Sequence, residues 1–131
     1  MIGLDTNILV RYLTQDDRVQ SAAATEIIEQ RLTVTNPGFI SVVTMAEIVW
    51  VLDRAYRMTD KQISAAVERM LQVEVLLVEN EQEVFAAMIA LKQRQGSFSD
   101  ALIAQLGAKA GCRYTVTFDK KALRLPGFML P

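Results

Sequence analysis

Four acidic residues stand out by type and setting. Asp5 directly follows the apolar start Ile2-Gly3-Leu4, and Glu47 is the sole charged residue between Ile40 and Leu52. Asp100 opens the stretch Asp100-Ala101-Leu102-Ile103-Ala104, and Asp119 ends Val116-Thr117-Phe118. The chain has no histidine and one cysteine, Cys112. Ser-His-Asp and Cys-His catalysis, paired-histidine phosphodiester cleavage, imidazole-held zinc, thiolate clusters and internal disulfides are therefore excluded. Any catalysis falls to Asp, Glu, Lys, Arg, Ser, Thr and Tyr, and carboxylates with a hard divalent cation lead that set.

Each acid has a structural alternative. Asp5 can be a helix cap after a strand, although Thr6 and Asn7 can serve that purpose too. Glu47 sits on a segment apolar on nearly every face, so it is expected to be buried. An unpaired buried carboxylate is costly and is neutralised, paired or metal-bound; Arg11, Arg54 or a distant lysine are the candidate ion-pair partners. Asp100 in the first turn of a helix is favoured by the macrodipole alone. Asp119 beside Lys120 and Lys121 reads equally well as a solvated turn.

Taken together they read differently. Two follow strands and two lie on helices, an arrangement able to bring four carboxylates to one point. At about 5 Å and an effective dielectric near 20, each ionised pair repels by roughly 3 kcal/mol. Such a pocket requires protons or divalent cations, and oxygen-only ligands favour Mg²⁺ or Mn²⁺. A metal-activated water attacking phosphorus needs no histidine. Asp5 and Asp100 are the expected direct ligands, Glu47 or Asp119 the group orienting the water, and Asn7 and Thr117 the hydrogen-bonding supports. The run Glu79, Glu81, Glu83 reads as a solvated helix start, and Lys120, Lys121 and Arg124 as phosphate contacts or an ordinary turn.

The elements that must position these groups alternate. Ile2–Leu4 reads as a strand and Ile8–Leu13 as a helix. A second helix is expected over Ser21–Gln30, a strand over Phe39–Ser41 and a buried helix over Val42–Tyr56. Thr59-Asp60-Lys61-Gln62 matches a capping box opening a helix to about Gln72. Val75–Val78 reads as a central parallel strand. A helix follows from about Glu79 to Gln95, then another from Asp100 to Ala110 capped by Ser97 or Ser99, with Gly111 just past its end. Tyr114–Thr117 is the last expected strand. The pattern predicts one α/β domain over residues 1–131, its parallel sheet covered on both faces and its ligand crevice at the strand carboxyl ends, where Asp5 and Asp119 converge.

With 131 residues, 51% hydrophobic and 22% charged, the chain reads as one globular domain. The start lacks a basic signal-peptide region and the longest apolar stretch is too short for a bilayer, so a cytoplasmic protein with no membrane association is expected. The formal net charge of −1 offers no broad basic surface, so a nucleic-acid function has to rely on metal, local basic clusters or a partner.

The motifs Leu4-Asp5-Thr6-Asn7-Ile8-Leu9-Val10, Ala46-Glu47-Ile48-Val49-Trp50-Val51-Leu52, Phe98-Ser99-Asp100-Ala101-Leu102-Ile103-Ala104 and Thr117-Phe118-Asp119-Lys120-Lys121-Ala122 resemble, in order and approximate spacing, those of PIN-domain proteins. Length and coverage resemble the VapC-type toxins of bacterial toxin–antitoxin pairs. The resemblance implies an α/β/α sandwich with a central parallel sheet. It also implies a Mg²⁺- or Mn²⁺-dependent endoribonuclease using Asp5, Glu47, Asp100 and Asp119, a homodimer, and a cognate antitoxin lying over the site. Ser99 stands where the family often has a small apolar residue. The rivals are a non-catalytic PIN-like interaction module, which predicts loss of an acidic residue, and a metal-dependent phosphatase. The phosphatase needs a DxD strand end where this chain has Asp5-Thr6-Asn7. A receiver-type phosphoacceptor needs an acidic pair that is absent.

Overall fold

The first strand, β1 (Ile2–Gly3), turns at once into helix α1 (Thr6–Thr14) in a computed structural model that describes residues 1–131. The hinge is Asp5 itself, extended at φ −84° and ψ 161°, whose carboxylate accepts the Thr6 N–H at 2.7 Å. Asp5, rather than Thr6 or Asn7, is the cap, and α1 begins two residues earlier than the apolar periodicity predicts. Helix α2 (Arg18–Glu26) is capped by the Asp17 carboxylate and runs into a single π turn, Ile27–Arg31. Then come β2 (Gly38–Ile40), α3 (Val42–Arg54), α4 (Asp60–Gln72), β3 (Leu76–Val78), α5 (Glu81–Lys92) and α6 (Phe98–Lys109). The expected capping box is present: Thr59 accepts from the Gln62 N–H at 3.1 Å and Gln62 accepts from the Thr59 N–H at 2.9 Å. Ser97 caps α6, and Gly111 beyond its end has φ +100°.

Strands β1, β2 and β3 form a parallel sheet in that order, with Ile2 opposite Gly38 and Phe39 opposite Leu77. The close approach at β2 demands glycine, because a Cβ on Gly38 would lie 2.6 Å from a Leu4 methyl carbon and 2.8 Å from one of Leu32. Helices cover the sheet, and the core joins Leu9, Ile40, Met45, Ile48, Met88 and Phe98, all buried. This is the expected α/β class. No helix is long and apolar enough to cross a membrane.

Two expectations about the sheet are corrected. Strand β3 is an edge strand and not a central one, and Leu77 on it is exposed. The last expected strand, β4 (Thr115–Val116), does not join this sheet. It pairs in parallel with β5 (Phe128–Met129), reached through the 3₁₀ segment Lys120–Arg124. Strand β5 had no counterpart among the expected elements, since two residues carry no periodicity.

A third correction concerns α3. It is not buried all round: Val43, Glu47, Trp50 and Arg54, spaced four, three and four residues apart, are all exposed on one stripe. Val43 and Trp50 are 77% and 59% exposed, so the apolar residues that hid the solvent face from sequence analysis are themselves on it.

Candidate active site

Asp5 and Glu47 come together. With Thr6, Asn7, Arg11 and Tyr56 they line one cleft of about 310 Å³ between α1 and α3. One Asp5 carboxylate oxygen is engaged in capping α1, and the other has no protein partner. Glu47 forms no ion pair, with Arg11, Arg54 or any other cation. Its exposure removes the cost expected of a buried carboxylate, and that argument for its role falls away.

Asp100 and Asp119 do not line this cleft. Asp100 is half-buried in the first turn of α6, its backbone N–H held by Ser97 Oγ at 3.1 Å. Asp119 is exposed and caps the 3₁₀ segment, accepting the Lys121 N–H at 2.9 Å. No three acidic residues lie close enough to hold one ion. For Asp119 the physical reason is the divided sheet: Asp5 follows a strand of the three-stranded sheet and Asp119 a strand of the separate β4–β5 pair. The expected supports differ as well. Thr117 Oγ1 accepts the Asp119 backbone N–H at 3.0 Å, not contacting the carboxylate. Asn7 lines the cleft without a side-chain hydrogen bond.

Two residues of the cleft wall, Arg11 and Tyr56, are joined through Asp16, a connection the sequence did not announce. Tyr56 donates to Asp16 Oδ2 at 2.6 Å, Thr14 donates to Asp16 Oδ1 at 2.8 Å, and Arg11 Nη1 donates to the same oxygen at 2.9 Å. The Tyr56 and Thr14 hydrogen bonds, then the Arg11 guanidinium, hold the Asp16 carboxyl at about 2. The bond to Asp16 in turn raises the Arg11 pKa above its ordinary value. Tyr56 lies 40 residues from Asp16, so no local spacing announces the cluster. Its effect is to pin Arg11 beside two carboxylates, the one guanidinium on the cleft wall.

The donor set suits a hard cation. Every polar acceptor on the cleft wall is oxygen, and Mg²⁺ is commonly held by one or two carboxylates with water filling the remaining positions. Thr6, 7% exposed, also contributes to this wall, and its Oγ1 is the only buried side-chain polar atom in the chain without a hydrogen-bond partner. A buried hydroxyl left alone is unfavourable, and a ligand or water drawn into the cleft would relieve it.

The PIN-domain family model matches residues 2–127. The chain belongs to the PIN-domain family. This PIN domain is 25% identical over 123 residues to the VapC ribonuclease of Aquifex aeolicus (strain VF5), across 93% of this chain and 90% of that one. No solved structure is a significant match. The family places all four acidic motifs inside the matched residues, including the two that the geometry leaves outside the cleft.

Proposed function

We propose that this PIN domain is a metal-dependent endoribonuclease, the toxin of a toxin–antitoxin pair, acting in the cytoplasm as a homodimer under the control of a cognate antitoxin. The observation that carries the reading is the Asp5–Glu47 pair on one oxygen-lined cleft in a chain that matches the family from residue 2 to residue 127. The relative named as a VapC ribonuclease supports the substrate class.

Asp5 and Glu47 would hold Mg²⁺ or Mn²⁺; Asp100 and Asp119, outside this cleft, join the proposed set through their place in the family-matched motifs, with Asn7 on the cleft wall and Thr117 beside Asp119. The ion, when bound, lowers the pKa of a water and stabilises the oxygen that leaves phosphorus. Asp5 offers its uncapped oxygen from a position fixed by the helix start, so its direction does not depend on a flexible loop. Glu47 has no cation partner in the protein, so its carboxylate is available to the ion and, through its second oxygen, to orienting the attacking water. Arg11, held by Asp16 and Tyr56, presents positive charge where a scissile phosphate would enter. The complete set of acids disfavours the non-catalytic module, and Asp5-Thr6-Asn7 disfavours the phosphatase.

The test is cleavage of total RNA by the purified protein with Mg²⁺, with Mn²⁺ and with excess EDTA. Cutting is expected with either metal and not with EDTA, and Glu47→Gln and Asp100→Asn are expected to abolish it. Parental cutting by both variants would refute the site.

A further inference from the structure

A second groove, of about 570 Å³, lies between α3, the α5–α6 turn and the C-terminal 3₁₀ segment, and contains none of the four acids. Trp50, 59% exposed, forms part of its wall with Arg54, Arg94 and Arg124. The Arg54 guanidinium sits 6.0 Å from the Trp50 ring centroid, over its face. Arg124 donates to the Arg94 carbonyl at 3.2 Å, which ties the C-terminal segment to the α5–α6 turn. Of these guanidiniums only Arg54 has an ion pair, a long one of 3.8 Å with Asp53. Against the three arginines stand two acids, Asp53 and Asp60. The groove is thus locally basic in a chain whose net charge is −1.

We propose that this groove binds single-stranded RNA, one base stacking on Trp50 while backbone phosphates meet Arg54, Arg94 and Arg124. An exposed indole flanked by guanidiniums is the combination that grips unpaired bases, because stacking needs a base freed from its duplex neighbours. The groove also adjoins the candidate catalytic acids. Trp50 stands three residues beyond Glu47 on α3, and Ser99, on the groove wall, immediately precedes Asp100. The proposal takes its substrate class from the ribonuclease reading, deepens it to unpaired RNA, and supplies the local basic cluster that the overall charge withholds.

Binding is measured by fluorescence anisotropy in EDTA, so that the outcome is independent of catalysis. The probes are a labelled oligouridylate of about ten nucleotides, within the range one such site covers, and an RNA duplex of equal length. The single strand is expected to bind more tightly than the duplex. Trp50→Ala is expected to weaken binding about tenfold, with Trp50→Phe restoring most of it by keeping a stacking face. Arg54→Gln and Arg94→Asn should each reduce the slope of log K against log salt by about 0.7. Asparagine at position 94 tolerates the left-handed backbone there, φ +58°. Melting curves check that the variants fold. Equal affinity for duplex, or Trp50→Ala binding like the parent together with unchanged salt slopes, overturns the proposal, including the case in which these variants lose affinity only for a protein partner. A protein that binds the oligouridylate as expected yet cleaves no RNA with metal refutes the nuclease reading alone.

Discussion

Asp5 does two jobs with two oxygens, and the jobs can be separated. One oxygen caps α1 through the Thr6 N–H, while the other has no protein partner, on a residue that lines the cleft. Asparagine caps as well as aspartate but ligates a cation poorly, whereas alanine loses the cap at about 1 kcal/mol. Asp5→Asn should therefore melt close to the parent and Asp5→Ala about 1 kcal/mol below it, both without RNA cleavage; thermal melts beside a cleavage assay check this. A second residue-scale prediction concerns Asp16, which titrates at about 2 against an ordinary 3.8. Its folded value is depressed, so its contribution to stability is present above the ordinary value and is lost as pH falls from 3.8 through about 2. Asp16→Asn is expected to flatten the fall in Tm across that window. A parental slope in the variant would show that the Tyr56, Thr14 and Arg11 contacts do not stabilise the ionised form.

At the scale of elements, the α5–α6 turn rests on the C-terminal segment without spare room. A Cβ on Gly96 would lie 2.6 and 2.7 Å from Leu125 side-chain carbons, and Leu125 is 3% exposed. Gly96→Ala should cost about 1–3 kcal/mol as an overpacking change, read as a drop in Tm. Elements with strong local signals were legible in the sequence: the Thr59–Gln62 capping box opens α4 as expected, and Ser97 and Gly111 bracket α6. The solvent face of α3 was not legible, because Val43 and Trp50 on it are apolar and their type alone does not separate core from an association surface. Strand β4 was legible at Tyr114–Thr117, but the two-residue β5 escaped because period-two alternation needs more residues than it has, and with it went the division of the sheet.

For the whole molecule, the order of the four acidic motifs is legible in the sequence, and whether their side chains converge is not. Residue type and motif order are local properties, but whether Asp119 reaches Asp5 depends on which sheet its strand joins, a pairing that nothing near Val116 specifies. The Asp5–Glu47 cleft is the part of the proposed centre already assembled, and it is the part on which metal-dependent chemistry has to rest. Mn²⁺ titration followed by electron paramagnetic resonance reads this directly. The parent protein is expected to remove Mn²⁺ from solution, and Asp5→Asn and Glu47→Gln each to weaken that binding by at least about tenfold. A parent that binds no Mn²⁺, or both variants binding it like the parent, would contradict the account.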